Sequence, residues 1–199
     1  YLKGRLDMPR GNGVTTMGPG DVIWLTSYGG GGYGDVLDRD PDLVLRDVAD
    51  GLVSQAAARG VYGVVLSADN LQVDHQPTEA LRSQIRRSRL VGKATPHLAP
   101  PGMLPVHEYL GLLERSGREH IACRKCGHVF CPPTQNYKDH SAMALRPASA
   151  AGPRHRCSGQ FIMREFYCPG CATLLDVEIC VEGAPFVWNT WAPRQASAG

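Results

Sequence analysis

At 199 residues the chain has room for one ordinary domain or two small ones. Its composition, 43% apolar and 20% charged, is that of a soluble globular protein, and no apolar run reaches the roughly 18–20 residues that cross a bilayer. The net charge is +2, with 11 Lys/Arg against 11 Asp/Glu in residues 1–95 and 10 against 8 in residues 96–199; nucleic-acid binders usually show a clear basic excess or stripe, and this balance argues against one.

The chain opens Tyr1-Leu2-Lys3-Gly4 with no charged-then-apolar leader and no Met, so the expectation is a cytoplasmic protein that is the remainder of something longer. Asp21–Tyr28 reads as a strand introduced by the turn Gly18-Pro19-Gly20. Gly29–Gly34 follows, and Asp40-Pro41 starts a helix with Asp at the N-cap and Pro at the first helical position. Leu45, Val48, Ala49 and Leu52 give that helix an apolar face. Ser54 caps a second short helix over Gln55–Arg59, Val61–Leu66 reads as a buried strand, and Thr78–Leu90 as a third helix. The third helix carries Arg82, Arg86, Arg87 and Arg89, read as a solvated face or a subunit contact rather than a substrate site.

Four prolines fall within Ala94–Pro105, which places a semi-rigid linker at residues 96–105 between a first piece (1–95) and a second (106–192), with 193–199 as a frayed tail. In the second piece Val106–Arg115 reads as a short helix. Strands are expected at His120–Ala122, Phe161–Tyr167, Leu174–Val181 and Phe186–Trp188. The fold class is therefore α+β: a small mixed α/β piece followed by an antiparallel β unit with turns at its cysteines.

There are seven cysteines, an odd number that fits a reducing compartment and a metal site better than a disulfide framework. Cys123-Arg124-Lys125-Cys126 and Cys168-Pro169-Gly170-Cys171 are matching turns in which two intervening residues let both sulfurs point at one ion; two such turns complete a tetrahedral S₄ shell. Four thiolates close that shell, so the expected ion is a structural zinc, whose binding contributes roughly 10–16 kcal/mol in small domains. Free or redox-active Cys-x-x-Cys pairs are the competing reading. Cys180 looks like a buried strand residue, and Cys131 and Cys157 could be auxiliary ligands. His128, beside the first turn, could pack on the metal or be an ordinary polar surface residue.

Gly29, Gly31 and Gly34 formally satisfy the G-x-G-x-x-G dinucleotide pattern after a strand, but residues 35–39 intervene before the helix that should open at the third glycine. Gly29, Gly30, Gly31, Gly32 and Gly34 remain candidates for a backbone anion nest or a close partner contact, against the simpler reading of a flexible turn.

Both pieces resemble known families. Pro19–Val22, Gly29–Asp35 (GGGGYGD), Asp38–Pro41, Val44–Asp47, Gly51–Ser54 and Val61–Val64 resemble the C-terminal end of the hydantoinase B/oxoprolinase family, with Val36 where Pro is usual; the resemblance covers residues 1–95. Residues 106–191 are similar to the gamma subunit of acetone carboxylase and its acetophenone carboxylase counterparts, most clearly at Arg164–Cys171, Thr173–Glu178 and Cys123–His128, with Ala172 where Gly is commoner. The combined resemblance implies the zinc-bearing C-terminal region of a multisubunit, ATP-dependent ketone carboxylase, an enzyme that joins a ketone to bicarbonate through phosphorylated intermediates to give a 3-oxo acid. It implies a hetero-oligomer with a hydantoinase A-like ATP-binding subunit and a hydantoinase B-like large subunit. ATP and a second divalent metal would sit on those partners, and no catalytic residue is expected here. The alternatives are a component of an ATP-dependent hydantoinase or oxoprolinase, and a zinc-ribbon module that binds nucleic acid or protein.

Overall fold

The computed structural model describes residues 14–23, 32–69, 72–90, 101–151 and 159–189. The chain forms two compact units, Tyr1–Gly32 and Tyr33–Gly199. In the first, the described residues form a turn in which the Gly18 N–H donates to Asp21 Oδ2 at 2.7 Å. Residues 21–23 are exposed and belong to no strand, and the rest of the expected Asp21–Tyr28 strand lies outside the described residues.

The second unit begins with three helices whose starts are set by their caps. Asp40 accepts from the Asp42 N–H and Pro41 opens α1 (Pro41–Ala49). Ser54 accepts from the Ala57 N–H at the head of α2 (Gln55–Gly60). Helix α3 (His75–Arg89) starts three residues earlier than Thr78, the start read from the sequence, and the Asp74 side chain at its N-cap does not bond the first-turn N–H groups. Thr78 does a different job: fully buried, its hydroxyl accepts from the Val65 N–H at 3.0 Å. The Val61–Leu66 segment is not a strand. Helices satisfy its backbone instead, through Val64 N–H to Ala58 O, Val65 N–H to Thr78, and Arg82 Nε to Tyr62 O, leaving one isolated bridge between Leu66 and Val73. Among the described residues the fully buried apolar side chains of this helical part are few: Leu37, Val44, Ala58 and Val64.

Beyond it lie two antiparallel sheets. One has the order β1 (Leu104–Pro105), β2 (Leu110–Arg115), β3 (Arg118–Cys123), β4 (Val129–Cys131); the other is β5 (Ala142–Pro147), β6 (Phe161–Tyr167), β7 (Leu174–Val181). The expected helix over Val106–Arg115 is a correction: β2 pairs with β3, Leu110 opposite Cys123 and Leu112 opposite Ile121. The signal passed over was Ser116-Gly117, both at positive φ (54° and 73°), the two-residue turn whose twist suits a hairpin. Strands β6 and β7 match the expected spans, whereas β5 was not anticipated and Phe186–Trp188 belongs to no strand. Phe186 instead packs edge-on against Phe166, 5.1 Å between centroids.

A common core joins the sheets through Tyr109, Leu110, Leu112, Ile121, Phe130, Tyr137, Leu175 and the four cysteines Cys123, Cys126, Cys131 and Cys168. Beside it is a buried charge cluster. Lys138, its side chain fully enclosed, meets Asp176 Oδ2 at 2.6 Å and Glu178 Oε1 at 2.5 Å, while Arg164 faces Glu178 and donates to the Ala184 carbonyl. Among the described residues no helix is long and apolar enough to cross a membrane.

Candidate metal centre

The two cysteine turns sit at the tips of two hairpins, between β3 and β4 and between β6 and β7, and each repeats the other's backbone bonding. In the first, the Gly127 N–H returns to Cys123 O and the Cys123 N–H reaches His128 O, each at 2.8 Å. In the second, the Ala172 N–H returns to Cys168 O at 2.8 Å and the Cys168 N–H reaches Thr173 O at 3.0 Å. The residue after each second cysteine must take left-handed backbone: Gly127 has φ 75° and Ala172 φ 58°. Glycine adopts that conformation freely, while alanine sits there against a penalty of about 1–2 kcal/mol, so packing holds it. Ala172 is fully buried.

The hairpins bring four sulfurs together, all within 4.8 Å of one another. Cys123 and Cys171 are 3.8 Å apart, and Cys126 and Cys168 are 3.6 Å apart. A disulfide needs about 2.05 Å. A tetrahedral ion with sulfur at about 2.3 Å separates its ligands by about 3.8 Å, so the spacing fits a metal such as zinc. As free thiols the four share protons: hydrogen bonding among them raises Cys126 and Cys168 and lowers Cys123 and Cys171. A divalent ion replaces those shared protons and satisfies four thiolates at once.

Other groups complete the cage. The Lys125 N–H approaches Cys123 Sγ at 3.4 Å, and the Thr173 hydroxyl lies 3.2 Å from Cys171 Sγ. Gly170 is required by space, because a Cβ there would stand 2.9 Å from Cys126 Sγ and 3.1 Å from the His128 Cβ. His128 therefore packs on the second turn and stacks edge-on against Phe130.

Cys131 stays outside the four-sulfur cluster. It is buried in β4, points its thiol at Gln135 O, and is pushed up to about 11 by burial. Cys157 lies outside the described residues. Cys180 is half-buried, on the face of β7 that also carries Glu178, while Val177 and Ile179 on the other face are exposed. Of the glycine run, Gly29, Gly30 and Gly31 lie outside the described residues. Gly32 belongs to the first unit, and a Cβ there would meet nothing within 4 Å. Gly34, at φ 73°, packs against Tyr109 so closely that a Cβ would stand 2.6 Å from the ring's hydroxyl oxygen.

With this geometry the second piece can be placed. Residues 100–191 match the model of the acetone carboxylase gamma subunit family. The chain is also similar to the caprolactamase beta subunit of Pseudomonas jessenii, at 42% identity over 42% of this chain and 14% of that one. It is 46% identical to the acetone carboxylase alpha subunit of Xanthobacter autotrophicus over 50% of this chain and 11% of the relative. Against the B-type subunit of a putative D-/L-hydantoinase from Pseudomonas sp. strain NS671 the identity is 40%, over 32% and 10%. The chain thus spans between 10% and 14% of the length of these relatives.

Around the gamma-subunit-like cysteine turns lies a set of contacts that the sequence did not reveal. Asp35, last residue of the glycine motif, is buried, and Arg89 grips both its carboxylate oxygens at 2.6 and 3.0 Å. The same guanidinium donates to the Ala172 carbonyl at 3.0 Å and lies over the Tyr167 ring at 5.1 Å. Asp35 Oδ2 also accepts the Leu174 N–H at 3.0 Å. Burial works to raise the Asp35 carboxyl, but the Arg89 contact and two backbone N–H groups outweigh it and hold it below its ordinary value. Asp38 takes Lys125, from the first cysteine turn, at 2.5 Å and Arg86 at 2.8 Å. The arginines read as a solvated face are therefore mostly engaged within the chain, Arg82 buried among carbonyls and Arg86 and Arg89 on Asp38 and Asp35; Arg87 is exposed. The missed signal was the pairing of Arg86 and Arg89, three apart on one helix face, with acids three apart at 35 and 38.

Proposed function

We propose that this chain is the metal-bearing C-terminal region of a subunit in an ATP-dependent ketone carboxylase of the acetone or acetophenone type. It joins the tail of a hydantoinase B-like subunit to a gamma-subunit-like ribbon. The observation that carries the reading is the match of residues 100–191 to the gamma subunit family, on a pair of hairpins whose four sulfurs stand at metal-ligand spacing. Cys123, Cys126, Cys168 and Cys171 hold a structural zinc: the shell is all thiolate and leaves no position for substrate. The chain's contribution is architectural. ATP, a second divalent metal and the groups that activate ketone and bicarbonate belong to the rest of a cytoplasmic hetero-oligomer, with a hydantoinase A-like subunit handling ATP.

The caprolactamase and hydantoinase relatives favour a second reading, an ATP-dependent complex that opens a cyclic amide. Isolating the native complex and measuring ATP hydrolysis separates the two. Stimulation by bicarbonate plus a ketone supports the carboxylase, and stimulation by lactams or hydantoins supports the hydrolase. A chain that purifies alone, with no large partner, refutes both.

A further inference from the structure

The metal centre is held from outside the ribbon as well as by it. The segment from Tyr167 to Leu174, which carries the second cysteine pair, is touched by two side chains from the helical part: Arg89 covers Tyr167 and binds the Ala172 carbonyl, and Asp35 takes the Leu174 N–H. The first pair is held in the same way, since Asp38 binds Lys125 between Cys123 and Cys126, and the Lys125 ammonium also lies over the Tyr109 ring. Tyr109 closes the loop by accepting the Asp35 N–H at 2.8 Å. One short segment, residues 35–38, thus fastens both cysteine turns, and α3 braces it through Arg86 and Arg89.

Two features raise this above ordinary packing. Ala172 stands in left-handed backbone, a conformation that costs an alanine and therefore depends on its surroundings, and Arg89 binds that residue's own carbonyl. The Asp35–Arg89 pair is also nearly closed to water, with Asp35 side-chain exposure at 0% and Arg89 at 10%, so each depends strongly on the other's presence.

We propose that Asp35 and Arg89 are positioning residues for the metal centre: they hold the Cys168–Cys171 turn in its ligating conformation, so metal retention by the ribbon depends on the helical part. Gly34 then has a task on this chain: its close approach to Tyr109 brings Asp35 to the second cysteine turn. The inference rests on the four cysteines holding a metal.

The test uses the full chain loaded with zinc or with Co(II), and follows transfer of the metal to a chromophoric chelator. Losing outer partners of metal ligands typically costs 10–100-fold in affinity, so Asp35→Asn and Arg89→Gln are expected to release metal at least tenfold faster than the parent chain. Arg87→Gln, on the exposed side of α3, is expected to release it at the parent rate. Arg89→Lys retains the charge but not the two-pronged grip and is expected to fall between. The Co(II)–thiolate absorption bands report the ligating geometry directly and should shift in Asp35→Asn and Arg89→Gln. Far-UV circular dichroism selects the variants that fold, and Arg89→Lys serves if the others do not. Folded variants with parent release rates and parent Co(II) bands overturn the proposal. A parent chain that takes up no metal overturns the metal reading itself, a separate failure.

Discussion

Replacing Gly34 by alanine distinguishes a glycine that supplies flexibility from one that permits a close approach. Gly34 has φ 73°, and a Cβ there would stand 2.6 Å from the Tyr109 hydroxyl oxygen and 3.4 Å from its Cζ. The ring cannot easily withdraw: Tyr109 is 7% exposed, belongs to the core shared by the two sheets, and has Lys125 over one face. Left-handed backbone costs an alanine about 1–2 kcal/mol. Overpacking adds about 1–3 kcal/mol. Displacing the hydroxyl also loosens its bond from the Asp35 N–H, worth about 0.5–1.5 kcal/mol. Together these give a loss of about 2.5–6.5 kcal/mol. The control is Gly117→Ala: Gly117 has the same φ of 73° but nothing within 4 Å of the new Cβ, so only the backbone part applies, about 1–2 kcal/mol. Denaturant unfolding of the metal-loaded chain measures both. If Gly34→Ala costs no more than Gly117→Ala, the close approach to Tyr109 is unimportant and the docking of residues 34–38 onto the ribbon is misdescribed.

Three further outcomes are expected. Elemental analysis should find one zinc per chain, chelation should lower the melting temperature, and Cys168→Ser should abolish both the bound metal and the chelator effect, because three thiolates leave the shell open. Lys138→Met removes the enclosed cation shared by buried Glu178 and half-buried Asp176, leaving Arg164, at 3.6 Å, as the cation facing Glu178, and should destabilise the chain by about 3–5 kcal/mol, with much of the loss recovered in Lys138→Met/Glu178→Gln; equal losses in the single and double variants refute the pairing. The Cys131 thiol, pushed up to about 11 by burial, should react with iodoacetamide at pH 8 roughly 200-fold more slowly than an ordinary exposed thiol of pKa near 8.5, read by peptide mass spectrometry on the metal-loaded chain. Rapid labelling of Cys131 in the folded chain would contradict its place in β4.

The cysteine turns were legible because their chemistry is local: two residues between thiols, a turn that needs left-handed backbone after the second, and strands on either side. The capped starts of α1 and α2 were legible for the same reason, with Asp40-Pro41 and Ser54 acting within three residues of themselves. What escaped depends on partners distant in sequence. Val106, Leu110 and Leu113 repeat at helical spacing, but Leu110 and Leu112 gain more by facing Cys123 and Ile121 across a hairpin. Arg164 and Glu178 enter the sequence reading only as parts of a family motif, with no physical role; they prove to be half of a buried charge cluster completed by Lys138 and Asp176. Asp35 gave no sign of its contact with Leu174, 139 residues away.

These contacts also explain why the helical part and the ribbon form one unit. Among the described residues the helical part fully buries four apolar side chains, Leu37, Val44, Ala58 and Val64, and burying a whole Val or Leu side chain yields about 1.5–3 kcal/mol, too little to offset the ordering of three helices. Its attachment to the ribbon is polar, through Asp35, Asp38, Arg89 and Lys125, and such contacts stabilise only when both sides are already in place. The ribbon supplies that preformed side once its sulfurs are bound to an ion. Order therefore passes from metal to cysteine turns, from the turns to residues 35–38, and from those to α3. A chain stripped of metal should lose hydrogen-exchange protection in α3 as well as at the cysteine turns, whereas α3 amides that stay protected after chelation would show that the helical part stands without the ribbon.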